Sequence, residues 1–93
     1  MQYVYLIKCN DEKIYTGCTS DLKKRFKQHE DGEVKFTSTR RPLKLELYIA
    51  FQDEYKAWAF EKYLKSGSGK AFANKRFYEL NGRLPRTVSS TQF

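Results

Sequence analysis

Cysteine is scarce in this chain. Cys9 and Cys18 are its only two, too few for a disulfide framework or a four-ligand zinc site. In the hairpin derived below they point to opposite faces, so a bond between them is not expected. With two prolines and five glycines, no low-complexity block stands out, and no internal repeat is present. No apolar run is long enough to span a bilayer. Met1 is not followed by a basic start and an apolar stretch, so no signal peptide is read. The expectation is a cytoplasmic protein with no membrane partner.

Acid is the other shortage. Eleven Asp and Glu face 18 Lys and Arg, for a net charge of +7. Such an excess favours polyanionic partners. The basic residues are grouped: Lys23, Lys24, Arg25 and Lys27, then Lys35, Arg40, Arg41 and Lys44, then Lys70, Lys75 and Arg76. Tyrosines and phenylalanines lie among them, a mixture that suits nucleic acid better than charge alone. The 93 residues fit one small domain with a thin core, and the 16% of aromatic residues help that core close.

Tyr3 to Cys9 is aromatic and β-branched and reads as a strand. Asn10-Asp11-Glu12 is a polar turn, and Lys13 to Cys18 is the hairpin partner. A three-residue loop with Cys9 opposite Lys13 sets Ile7 against Tyr15 and Tyr5 against Gly17. Odd-numbered residues of both strands then share a face. A slip of one residue would separate Tyr5 from Tyr15. Ser20 is the expected N-cap of a helix from Leu22 to His29 that closes near Gly32. Val34 to Pro42 has no amphipathic period and reads as a basic, hydroxyl-rich connection. Leu43 to Phe51 alternates, which predicts one apolar face made by Leu43, Leu45, Leu47, Ile49 and Phe51. Asp53 caps a helix from Glu54 to about Lys65. Ser66 to Gly69 breaks it, and Lys70 to Leu80 is a shorter helix ended by Asn81-Gly82. The fold class is α+β: a small three-stranded antiparallel sheet with flanking helices, in the order β-β-α-β-α-α. Residues 1–82 form one domain and 83–93 a flexible tail.

Three residues do not suit their helical positions. The inward stripe of the first helix is Leu22, Arg25, Phe26 and His29, half of it cationic or titratable. In the next long helix Glu61 falls in the stripe of Ala57, Phe60 and Leu64. Polar groups on such stripes are costly unless they have partners or a use. If both helices pack on the sheet as read, Arg25, His29 and Glu61 all turn toward the tyrosine face.

Tyr3-Val4-Tyr5 and Tyr15-Thr16-Gly17, followed by Arg25 and His29 on a helix and Glu61 on a later one, resemble the GIY-YIG nuclease domain. The first motif departs at Gly and Ile but keeps its final Tyr. The second keeps Tyr and Gly. The chain looks most like the small stand-alone bacterial members, which share this domain with the excision-repair endonuclease and with branched-DNA nucleases. The resemblance implies a metal-dependent DNA endonuclease directed by structure rather than sequence. Its catalytic residues would be Tyr5, Tyr15, Arg25, His29 and Glu61, with Tyr5 favoured over Tyr15 as the group that activates water. Glu61 would ligate Mg²⁺ or Mn²⁺. Nucleic acid would be met by Gly17, Lys23, Lys24, Lys27, Lys35, Thr37, Arg40, Arg41, Lys70 and Asn74. The implied partners are branched, nicked or flapped DNA and a repair protein. Many relatives carry Lys just after the second motif, where this chain has Cys18, so another basic residue would have to substitute. The alternatives are a catalytically silent nucleic-acid-binding module and an adaptor in a repair complex.

Overall fold

The computed structural model describes residues 1–73 and residue 75. Asn74 and the predicted tail at 83–93 lie outside the described residues, as does the end of the last helix.

The hairpin follows from its loop. Cys9 N donates to the Lys13 carbonyl at 2.8 Å, and Glu12, at φ 71°, donates to the Cys9 carbonyl. This three-residue loop fixes the predicted register between β1 (Gln2–Lys8) and β2 (Ile14–Thr19): Ile7 pairs with Tyr15 and Tyr5 with Gly17. On its other side β1 pairs antiparallel with β3 (Lys44–Phe51), giving the sheet order β2-β1-β3. Val4, Tyr5, Leu6 and Ile7 of the central strand are all buried, so both sheet faces are covered.

The third strand corrects the predicted single apolar face. Leu6 pairs with Leu47 but Ile7 pairs with Leu45, so Glu46 is an extra residue, a β-bulge. The bulge shifts parity. Leu43, Leu45 and Tyr48 join Tyr5, Ile7 and Leu22, whereas Leu47, Ile49 and Phe51 join Val4 and Leu6 on the other face. Both faces of the sheet are apolar, so alternation in the sequence could not reveal the switch.

The first core is covered by α1 (Leu22–Glu30). Its N-cap is Asp21 rather than Ser20: the Asp21 carboxylate accepts from Lys24 N at 3.1 Å, while Thr19 Oγ1 accepts from Asp21 N. The connection expected to be irregular contains a single helical turn, α2 (Lys35–Ser38), too short to show a period. The opposite face is covered by α3 (Glu54–Lys65), capped by Asp53 as expected, and α4 (Gly67–Ala73). The last helix starts three residues earlier than predicted. Ser66 Oγ accepts from Gly69 N, and a Cβ on Gly69 would overlap the Tyr63 carbonyl, so the glycine allows α4 to turn tightly off α3. No helix among the described residues is long and apolar enough to cross a membrane.

Candidate functional site

Register and helix period together assemble a polar cluster on one sheet face. Tyr5 and Tyr15, on adjacent strands, have ring centroids 6.2 Å apart. The stripe of α1 that begins at Leu22 brings Arg25 and His29 onto this face one turn apart. Tyr5 is 1% exposed and His29 fully buried, while Arg25 and Tyr15 are half-buried.

Hydrogen bonds run through the cluster in one direction. Arg25 Nε donates to Tyr5 Oη at 3.4 Å. Tyr5 Oη lies 3.0 Å from His29 Nε2, and His29 Nδ1 lies 2.8 Å from Thr37 Oγ1. The Thr37 hydroxyl in turn donates to the Val34 carbonyl at 3.4 Å. With its one proton on Val34, Thr37 must accept from His29 Nδ1–H. That leaves Nε2 to accept the phenolic proton of Tyr5, and the set is satisfied. Burial and the positive charge of Arg25 push the His29 pKa down to about 4, so the imidazole is neutral at pH 7. Burial likewise pushes Tyr5 up to about 12, against the opposing pull of the Arg25 hydrogen bond. The hydrogen bond to Tyr5 favours charged Arg25, with a smaller contribution from nearby Tyr15, and Arg25 Nη1 also donates to Gln28 Oε1 at 3.1 Å.

Gly17 completes this arrangement by absence. A Cβ there would overlap Cζ and Oη of Tyr5, so the phenol occupies the space that any other residue would fill. Tyr15 stands further out, with its ring against His29 at 4.8 Å and Phe36 at 5.6 Å.

Glu61 does not share this face. It belongs to α3, whose Ala57 and Leu64 pack on the opposite side of the sheet. Its carboxylate pairs with Lys65 Nζ at 3.0 Å, and its charge reaches Tyr5, the cross-strand partner of Gly17, and Cys18, the next residue along β2. The expectation that both helices deliver their polar residues to one face therefore holds for Arg25 and His29. Glu61 approaches by the edge strand β2. Cys18 belongs to the opposite face, packed against the Val4 core, and burial raises its pKa above the usual thiol range.

The expected phosphate contacts divide. Lys23, Lys24, Lys27, Lys35 and Lys70 are exposed, Lys27 being paired with Asp31 at 3.4 Å. Thr37 is fully buried and turned inward to His29, which corrects its expected place on a phosphate-facing surface. Arg40 pairs with Asp11 and covers the Phe36 ring at 4.1 Å, while Arg41 donates to the carbonyls of Ser38 and Glu30. Both arginines brace the α2 turn. Two features escape the sequence reading. The role of Thr37 depends on a one-turn helix with no sequence period. Lys65 beside Glu61 is visible as an i,i+4 pair.

The assigned tautomer gives a direct expectation. Thr37→Val should strand the buried Nδ1–H of His29 and cost about 1–3 kcal/mol, whereas Thr37→Ser should retain most of the stability. Nitrogen-15 NMR of wild-type His29 should show a protonated Nδ1. A protonated Nε2 would contradict the assignment.

The model of the GIY-YIG catalytic domain matches residues 1–76. The UPF0213 protein CPE1444 of Clostridium perfringens is 44% identical over 66 residues, which cover 70% of this chain and 71% of that one. The UPF0213 protein Reut_B5558 of Cupriavidus pinatubonensis is 38% identical over 77 residues, covering 78% and 86%. Among solved structures, the solution NMR structure of the UPF0213 protein BH0048 from Bacillus halodurans superposes with a TM-score of 0.52 at 34% identity, covering 88% of this chain and 87% of that one.

Proposed function

The chain belongs to the GIY-YIG catalytic domain family, and from that premise we propose that it is a divalent-metal-dependent endonuclease that hydrolyses DNA phosphodiester bonds. The family supports a nuclease-type activity. The observation that carries the finer reading is the cluster on one sheet face in which hydrogen bonds link Arg25, Tyr5 and His29 and the Tyr15 ring packs against Tyr5 and His29, with the charge of Glu61 reaching it from the edge.

Phosphodiester hydrolysis needs cationic support for the phosphate and a positioned water. Arg25 presents a guanidinium beside both phenols, so a phosphate brought to the tyrosines meets a fixed positive charge. Tyr5 is buried, and its oxygen both accepts from Arg25 and donates to His29. Solvent access supports Tyr15, half-buried at the mouth of the cluster, as the phenol that meets water, the reverse of the order favoured from sequence. Tyr5 then acts by holding Arg25 and His29 in place. His29, neutral and oriented by Thr37, keeps the Tyr5 proton directed inward.

Among the described residues no group of three or more His, Cys, Asp or Glu side chains gathers into a metal cage. A hard cation does not need one. Mg²⁺ or Mn²⁺ can be held by one carboxylate, waters and substrate oxygens, and the partly exposed Glu61 fits that requirement. When bound, the cation would neutralise charge developing on the phosphate.

The exposed lysines of α1 and α2 suit contact with backbone phosphates, which carry no sequence information. The substrates proposed are therefore branched, nicked or flapped DNA in repair or processing in the cytoplasm, with a repair protein as partner. The test is cleavage of nicked, flapped, branched and plain duplex DNA with Mg²⁺ or Mn²⁺, beside a Glu61→Ala control. Cleavage by wild type should far exceed the control on at least one substrate. Equal rates on every substrate, with salt-sensitive binding retained, would instead identify a silent binding module. The Glu61–Lys65 pair is the observation that favours that second reading, because it neutralises the candidate ligand.

A further inference from the structure

A groove of about 520 Å³ opens along the outer edge of β2, next to the tyrosine cluster. Its volume falls in the range of small-ligand clefts, roughly 300–1,000 Å³. Tyr15 and Phe36 contribute aromatic wall, and Leu64 of α3 contributes apolar surface. Lys13, Lys65 and Lys70 line it as well; Lys65 is paired with Glu61 at 3.0 Å, so the uncompensated charge of the described lining comes from Lys13 and Lys70. Phe36 is 38% exposed, and its ring is covered on one side by the Arg40 guanidinium 4.1 Å from its centroid.

Two features of this lining point to one ligand chemistry. The ammonium groups of Lys13 and Lys70 attract a phosphate backbone. Apolar and aromatic walls between them offer nothing to phosphates, but they accept the face of a nucleobase. A base can enter such a groove only when it is not paired within a duplex. Tyr15 belongs both to the polar cluster and to the groove, so one strand passing the cluster continues into it. We propose that this groove receives an unpaired nucleotide of the DNA strand being processed, its base against Phe36 and Tyr15 and its phosphates against Lys13 and Lys70. Unpaired DNA next to the scissile bond is then part of what the protein recognises. The inference rests on the nuclease reading for its biological sense, but its test does not depend on turnover.

The test is fluorescence-anisotropy binding of a short labelled single-stranded DNA and of the same sequence as a duplex, in EDTA, to the full chain. The single strand should bind more tightly than the duplex. Phe36→Ala should weaken single-strand binding about fivefold or more and leave duplex binding little changed. The Lys13→Gln/Lys70→Gln double variant should lower the salt dependence of single-strand binding by roughly one unit of slope or more. Phe36→Leu, which keeps an apolar contact for Tyr15, should reproduce most of the loss and so separates stacking from misfolding. Equal affinity for both DNAs, or variants that bind the single strand like wild type, would overturn the proposal even if cleavage is observed. Single-strand preference lost on substitution, without cleavage under any metal, would uphold the groove and remove the enzyme.

Discussion

A Gly17→Ala substitution is expected to lower stability by about 3 kcal/mol, the upper end for overpacking a close-packed site. For a domain of this size that is a fall in melting temperature of roughly 10–20 °C. One methyl group has this effect because of where Tyr5 sits. The new Cβ would overlap the end of the phenol ring and lie 2.8 Å from Cε1. The ring has little room to yield. It is 1% exposed and held by hydrogen bonds to His29 and Arg25. If Tyr5 is displaced, Arg25 loses its hydrogen bond to the phenol, keeping that to Gln28, and His29 loses the donor at Nε2, so any cleavage activity should fall with the stability. The check is thermal unfolding of Gly17→Ala beside the double variant Gly17→Ala/Tyr5→Leu. The smaller side chain should recover part of the stability without activity, a coupling expected only of residues in contact. A single variant that melts like wild type would mean that Tyr5 is not seated against Gly17.

Acid should destabilise the domain through His29, and the sign follows from its pKa. The folded value is about 4, below the ordinary 6.5, because burial and Arg25 disfavour the imidazolium. Between those two values the unfolded chain binds a proton that the folded chain does not. Stability is therefore fully present above pH 6.5 and is lost as pH falls toward 4, by about 3 kcal/mol over the window. Urea unfolding at several pH values from 7 to 4.5 measures this. His29→Gln, which cannot titrate, should be less stable at pH 7 but show a shallower decline in acid. Parallel pH profiles for the two proteins would show that His29 titrates normally. The same neutrality matters for the site, because a protonated imidazole could no longer accept the Tyr5 proton.

Both expectations depend on the one part of the site that was legible before the fold was known. Period-2 parity and a three-residue loop were enough to set Tyr5 beside Tyr15 and opposite Gly17, because hairpin register is a local property. Helical period was enough to set Arg25 and His29 on one face of α1. The location of Glu61 was not legible in this way. Its position in the stripe of α3 says which way it points from its own helix, but not which face of the sheet that helix covers. Thr37 was misread for a related reason: as a hydroxyl in a basic connection it suggested phosphate, and only the folding of α2 against α1 turned it inward to His29.

The sequence by itself determined the α+β order, the hairpin register once its loop is taken as three residues, the Asp53 cap, the stripes of the two long helices and the lysine-rich surface. Each of these follows from contacts within a few residues along the chain or from composition. The tertiary structure alone decided the bulge at Glu46, the opposite placement of α1 and α3, the buried bond between Thr37 and His29, and the groove where Tyr15 and Phe36 meet the lysines of three segments. These depend on which residues far apart in sequence compete for the same space. In a sheet apolar on both faces, no local pattern states which side each helix will cover.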